Sequence, residues 1–207
     1  MSLAEVRTMV GMLANEAARG VHAWVLTYNP PVDQLADDLM AILGPYLESA
    51  ALLAADWYND EGPDGYHATP LTGVPMERMV ATAEWTLRGP QRPENRIRGA
   101  AHGMVFDAAR NTVLGNAILE KVAVARDERP GACGDCAQAA TTAIRHSTAT
   151  SEVNTTFHHS CDGLFVPVRR GAYEPPDHAR EWGRRITSAR RAGVTNPEDI
   201  AKLLASN

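Results

Sequence analysis

The sequence predicts a mainly α protein: a helical body, a small C-terminal subdomain containing a short β hairpin, and closing C-terminal helices. Three observations predict it. Apolar residues recur at helical spacing through most of the first 120 positions, two short runs rich in Val and Phe flank the cysteines, and proline and glycine pairs mark the joints. The boundaries that follow are 1–120 for the helical body, 121–170 for the cysteine-bearing subdomain and 171–207 for a helical tail.

Val6, Met9, Val10 and Leu13 form the i, i+3, i+4, i+7 stripe of an amphipathic helix, expected to end near Gly20. Asn29-Pro30-Pro31 breaks the chain, Asp33 caps the next helix, and Leu35, Leu39, Ile42 and Leu43 carry it to an expected interruption at Gly44-Pro45. Leu47, Ala51, Ala54, Trp57 and Tyr58 resume helical spacing as far as the turn-rich run from Asn59 to Gly65. A short helix is expected around Met79, Val80, Ala83 and Leu87, halted by Gly89-Pro90 and Pro93. The longest helix is expected from Glu94 to about Glu120, with Ile97, Ala101, Met104, Val105, Ala108, Thr112 and Ile118 on one face. Gly99, Gly103 and Gly115 each cost that helix about 1 kcal/mol relative to Ala, a cost consistent with close helix packing.

Val122 and Val124 predict a short strand leading to Cys133, and Ala137 to Ile144 a short helix leaving it. Ser147 to Thr156 reads as a surface loop. Leu164, Phe165, Val166 and Val168 predict a second strand, with Pro167 placing it at a sheet edge, and the two strands are expected to pair. Pro175-Pro176-Asp177 opens a helix carrying Ala179, Trp182, Ile186 and Ala189, closed by Gly193. Asn196-Pro197-Glu198-Asp199 has the order of a helix start, N-cap then proline then acids, so Ile200, Leu203 and Leu204 belong to a last short helix.

The 207 residues are 44% hydrophobic and 22% charged, an ordinary folding composition. The longest apolar run, around Ala50 to Ala55, stops at Asp56, short of the roughly 18 residues a bilayer span needs, so no membrane association is expected. The start, Met1-Ser2-Leu3-Ala4-Glu5, lacks the basic and apolar regions of a secretory signal, which points to the cytosol. The net charge of −5 is unevenly spread. Residues 1–64 are acidic, whereas Arg169 to Arg191 is arginine-rich. A polyanionic or acidic partner for Arg180, Arg184, Arg185, Arg190 and Arg191 competes with the plainer reading of a solvated helix face.

All three cysteines fall into one pattern. Cys133 and Cys136 stand three apart, and Cys161 stands three after His158, giving two close ligand pairs separated by a helix and a loop. Four thiolate and imidazole donors from two tight turns are what a structural, tetrahedral zinc ion requires, with no position left for a catalytic water. The candidate ligands are Cys133, Cys136, His158 and Cys161, with the adjacent His159 competing for the third place, which spacing does not decide. A redox dithiol would need a thioredoxin-like βαβ context, which the sequence does not predict. No GxSxG, GxxxxGK[ST], HExxH or GxGxxG motif is present, and no catalytic residues are assigned. The four tryptophans read as packing residues.

Three segments together resemble one family. Leu52-Leu53-Ala54-Ala55-Asp56-Trp57-Tyr58, Arg110-Asn111-Thr112-Val113-Leu114-Gly115-Asn116-Ala117, and the cysteine segment with Phe157-His158-His159-Ser160-Cys161 and Val166-Pro167-Val168 are similar to the MuF-like minor capsid (head morphogenesis) proteins of actinobacterial tailed phages. The resemblance selects His158 over His159 as the ligand. The chain departs from it at Gly163, where many members carry a cysteine, and at Ala139-Ala140-Thr141-Thr142. It implies a virion protein of the phage head, assembled in the host cytoplasm, present in multiple copies and docking on the portal or major capsid protein, with packaged DNA as a further partner. The family is often labelled capsid maturation protease; neither a nucleophile with its base nor an acid pair stands out here. The resulting expectation is a structural minor capsid protein with a structural Zn2+ site, the alternatives being a maturation protease and a DNA-binding virion protein.

Overall fold

The computed structural model describes residues 1–28, 30–90, 92–141, 161–169 and 174–205. The protein is mainly α: among these residues there are seven helices and one antiparallel pair of strands. The chain divides into two compact units, one spanning Met1–Gly115 and the other running from Asn116 onward.

The first unit begins with α1 (Leu3–Tyr28), α2 (Val32–Asp60) and α3 (Met76–Arg88), with α2 packed against both neighbours. Helix α1 runs past Gly20 because its buried stripe does not stop there: Val6, Val10, Ala14 and Ala17 are continued by Val21 and Val25. A β-carbon at Gly20 would meet Ile42 only at ordinary contact distance, so that glycine imposes no break. Helix α2 likewise passes through Pro45 without interruption. Proline there forfeits one helical hydrogen bond, a cost of about 3 kcal/mol. Leu39 and Leu43 before it and Leu47, Ala50, Ala51 and Ala54 after it are all buried, and this shared stripe holds the helix together across the proline. By length and composition the stretch Gln34–Asp60 could cross a membrane. Its leucine stripe is buried within the unit, however, and Asp37, Glu48 and Asp56 lie on its exposed side, the pattern of an amphipathic core helix.

Helix α4 (Pro93–Glu120) starts in the first unit and ends in the second. It is buried around most of its circumference between Ala100 and Val113, more completely than a one-faced stripe predicts. Buried Arg110 is held there by Asp107 at 2.8 Å and lies over the Phe106 ring. The close approach at Gly115 comes from a loop: Leu71 lies where its β-carbon would be, and the Leu71 amide donates to Thr112 Oγ1 at 2.9 Å.

In the second unit, Lys121 ends α4 in a left-handed conformation (φ 62°), with its N–H bonded to Ile118 and that of Val122 to Ala117. Strand β1 (Ala123–Asp127) pairs with β2 (Leu164–Val168) in the register Ala123↔Val168 to Asp127↔Leu164. Among the described residues the sheet has two strands, so both are edges there, and Pro167 opposite Val124 is tolerated. Helix α5 (Gly134–Ala140) is capped at Thr141, and the rest of the stretch expected to be helical as far as Ile144 lies outside the described residues. Helices α6 (Asp177–Arg191) and α7 (Pro197–Ala205) pack on α5 around Ala137, Ala179, Trp182, Ile186, Ile200 and Leu204. Asn196 Oδ1 accepts from the Glu198 amide at 3.0 Å, the N-cap its position predicts, and Gly193 (φ 88°) closes α6.

Candidate metal centre

The end of β1, the start of α5 and the segment leading into β2 converge on one buried cluster. Strand pairing turns Arg126 inward opposite Phe165, and the chain then delivers Glu128; each is only 2% exposed. Arg126 Nε donates to Glu128 Oε1 at 2.6 Å, so neither buried charge is left uncompensated. The same guanidinium reaches Cys136 Sγ at 3.1 Å and Cys161 Sγ at 3.6 Å. The two sulfurs are 3.0 Å apart, and Cys161 Sγ lies 3.7 and 3.8 Å from the two Glu128 oxygens. No disulfide joins the cysteines.

Two glycines make this convergence possible. A β-carbon on Gly134 would overlap the Ala201 carbonyl, so the Cys133-Gly134-Asp135-Cys136 turn can lie directly on the α7 backbone. A β-carbon on Gly163 would overlap the Glu128 carboxylate. From the first turn of α6, His178 Nε2 sits 2.7 Å from the Glu128 carbonyl oxygen, and its ring meets Trp182 edge-on.

Contact with Cys161, burial, Cys133 and the Glu128 charge together push the Cys136 thiol up from its ordinary value. Without a cation Cys136 favours its protonated form, whereas a metal ion draws the proton off, because thiolate is the ligand form.

Donor atoms of Glu128, Cys136 and Cys161 all lie within 4.8 Å of one another, so this group can hold a metal ion. Tetrahedral zinc with sulfur at about 2.3 Å and oxygen at about 2.0 Å sets sulfurs about 3.8 Å apart and oxygen about 3.5 Å from sulfur. The carboxylate-to-Cys161 spacing is near that value already; the two sulfurs must separate by about 0.8 Å. The donor set therefore fits a divalent cation with mixed sulfur and oxygen ligands.

Of the residues expected from sequence, Cys136 and Cys161 are brought together. Cys133, exposed at the N-cap of α5, adjoins Cys136 but lies outside that tight group. His158 and His159 fall outside the described residues. Arg126 and Glu128 are the residues that sequence reasoning misses: both stand in the charged run Arg126-Asp127-Glu128-Arg129, where alternation on a strand was the one available hint that some point inward. The CxxC segment does open a helix, but the adjoining strands are antiparallel, not a βαβ unit.

On α6, Arg180 pairs with Asp177 and Arg184 with Glu181, both at 2.5 Å, and Arg185 donates to the Leu203 carbonyl at the end of α7. Arg190 and Arg191 are exposed in the last turn.

The family model described as VG15 protein matches residues 2–189. No curated protein and no solved structure matches the chain.

Proposed function

Since the chain belongs to the VG15 family, a family of phage proteins, over nearly its whole length, we propose that it is a MuF-like minor capsid protein that docks on the portal or inner capsid during head assembly. It acts by binding. The first unit offers helical surface to the shell, and the second is stapled by one structural zinc ion on Cys133, Cys136, Cys161 and a fourth donor, the place for which the sequence names His158. Bound zinc would contribute folding free energy to a unit with a small core of its own. The exposed end of α6, with Arg190 and Arg191, is directed to packaged DNA or an acidic protein surface.

The family match carries the virion reading, and the buried Cys136, Cys161 and Glu128 cluster supports the metal. The test is zinc content per chain of purified protein, wild type against Cys136→Ser and Cys161→Ser, together with cryo-EM of the virion. About one zinc per chain, lost in both variants, and density at the portal or inner shell are expected. Absence from purified virions would overturn the capsid reading; zinc-free wild-type protein would overturn the staple.

A further inference from the structure

We propose that Glu128 is itself a metal ligand and supplies the fourth, oxygen donor beside Cys133, Cys136 and Cys161. The inference rests on the metal reading above and deepens it.

Three observations carry it. The first is distance: both carboxylate oxygens lie within 3.8 Å of Cys161 Sγ, close to the ligand-to-ligand edge of a tetrahedral site, so the carboxylate needs almost no movement to coordinate. The second is construction. Glu128 is 2% exposed, anchored through Arg126 at one oxygen and through His178 at its backbone carbonyl, and residue 163 lacks the β-carbon that would displace it. The carboxylate is thus held at one oxygen by Arg126, on a backbone that His178 fixes, in space that Gly163 leaves open. The third is charge. With Cys133, Cys136 and Cys161 as thiolates, three sulfurs and the Glu128 carboxylate face the single Arg126 guanidinium, an anionic donor set that favours a divalent cation. Cys133 then closes the sphere from the solvent side.

Loss of affinity alone would not separate a ligand from a carboxylate that only orients one, because removing an outer partner also weakens binding about 10–100-fold. The deciding experiment is zinc X-ray absorption on the wild-type full chain, with Co2+ substitution of wild type, Glu128→Gln and His158→Ala. Three sulfurs and one oxygen, without imidazole scattering, are expected. The Co2+ ligand-field bands should shift in Glu128→Gln and stay unchanged in His158→Ala. Imidazole scattering, or bands altered by His158→Ala and not by Glu128→Gln, would overturn the Glu128 assignment while leaving the metal site intact. Failure of the wild-type protein to bind either Zn2+ or Co2+ would overturn both. The wild-type absorption result decides the matter even if Glu128→Gln, which strands Arg126, does not fold.

Discussion

The carboxylate of Glu128 fills the space that a β-carbon on residue 163 would need. Glu128 is on the segment leaving β1 and Gly163 on the segment entering β2, so the side chain of one is seated against the bare backbone of the other. Gly163→Ala should therefore displace the carboxylate or the strand. A loss of about 1–3 kcal/mol is expected, the usual cost of inserting a methyl group into filled space. Thermal or urea unfolding would measure it, and an unchanged midpoint would contradict the packing described.

Two helices of the second unit end in the same left-handed turn, α6 on Gly193 and α4 on Lys121. Their bonding matches: Val194 N–H to Ala189 and Gly193 N–H to Arg190 in one, Val122 to Ala117 and Lys121 to Ile118 in the other. A side-chain-bearing residue in that conformation costs about 1–2 kcal/mol, part of which glycine gives back as unfolded-chain entropy. Lys121→Gly is expected to stabilise the protein by about 0.5–1 kcal/mol, read as a higher unfolding midpoint, and Gly193→Ala to lower it by a similar amount.

Arg169 leaves the arginine-rich group expected to meet an external partner. It grips Glu120 with two parallel bonds, both 2.7 Å, at 17% and 12% side-chain exposure, tying the residue after β2 to the last turn of α4. A lysine cannot reproduce that fork. Arg169→Lys should cost about 1 kcal/mol in unfolding free energy, with Glu120→Gln losing a comparable amount and the double variant less than the sum. A strictly additive double-mutant cycle would show the pair to be uncoupled.

Of the arginines expected to meet a partner, Arg184 already pairs with Glu181 and Arg185 donates to the Leu203 carbonyl. Arg190 and Arg191 are the cleaner probes. If the exposed end of α6 meets DNA, the double Ala variant should bind duplex DNA more weakly. It should also lower the slope of log affinity against log salt by about 2, close to one per lost phosphate contact. An unchanged slope would direct attention to a protein surface instead.

Much of this architecture is legible in the chain because its ends are set by local chemistry. Asn196 before Pro197 fixes the start of α7, Gly193 fixes the end of α6, and the two short strands pair where Val124 and Phe165 suggest. What is not legible depends on distant partners. Nothing local says that Pro45 will be carried through a continuous α2, since the buried stripe on both sides of it outweighs a missing hydrogen bond. Nothing local marks Glu128 off from Asp127 or Arg129; only the folding of β1 against β2 turns it toward the sulfurs. The cysteines are visible at once because all three share one spacing pattern, although the structure draws Cys136 and Cys161 together more closely than the CxxC pair itself implies.

The separation of Cys136 and Cys161, 25 positions apart in sequence, carries a consequence for biosynthesis. A ribosome adding about 5–20 residues per second makes Cys136 roughly 1–5 s before Cys161 exists, with Arg126 and Glu128 made earlier still. During that interval β1 is without β2, and Arg126, Glu128 and Cys136 are without the second sulfur. The order of translation therefore makes closure of the site a late event, completed only after Cys161 and β2 have cleared the exit tunnel.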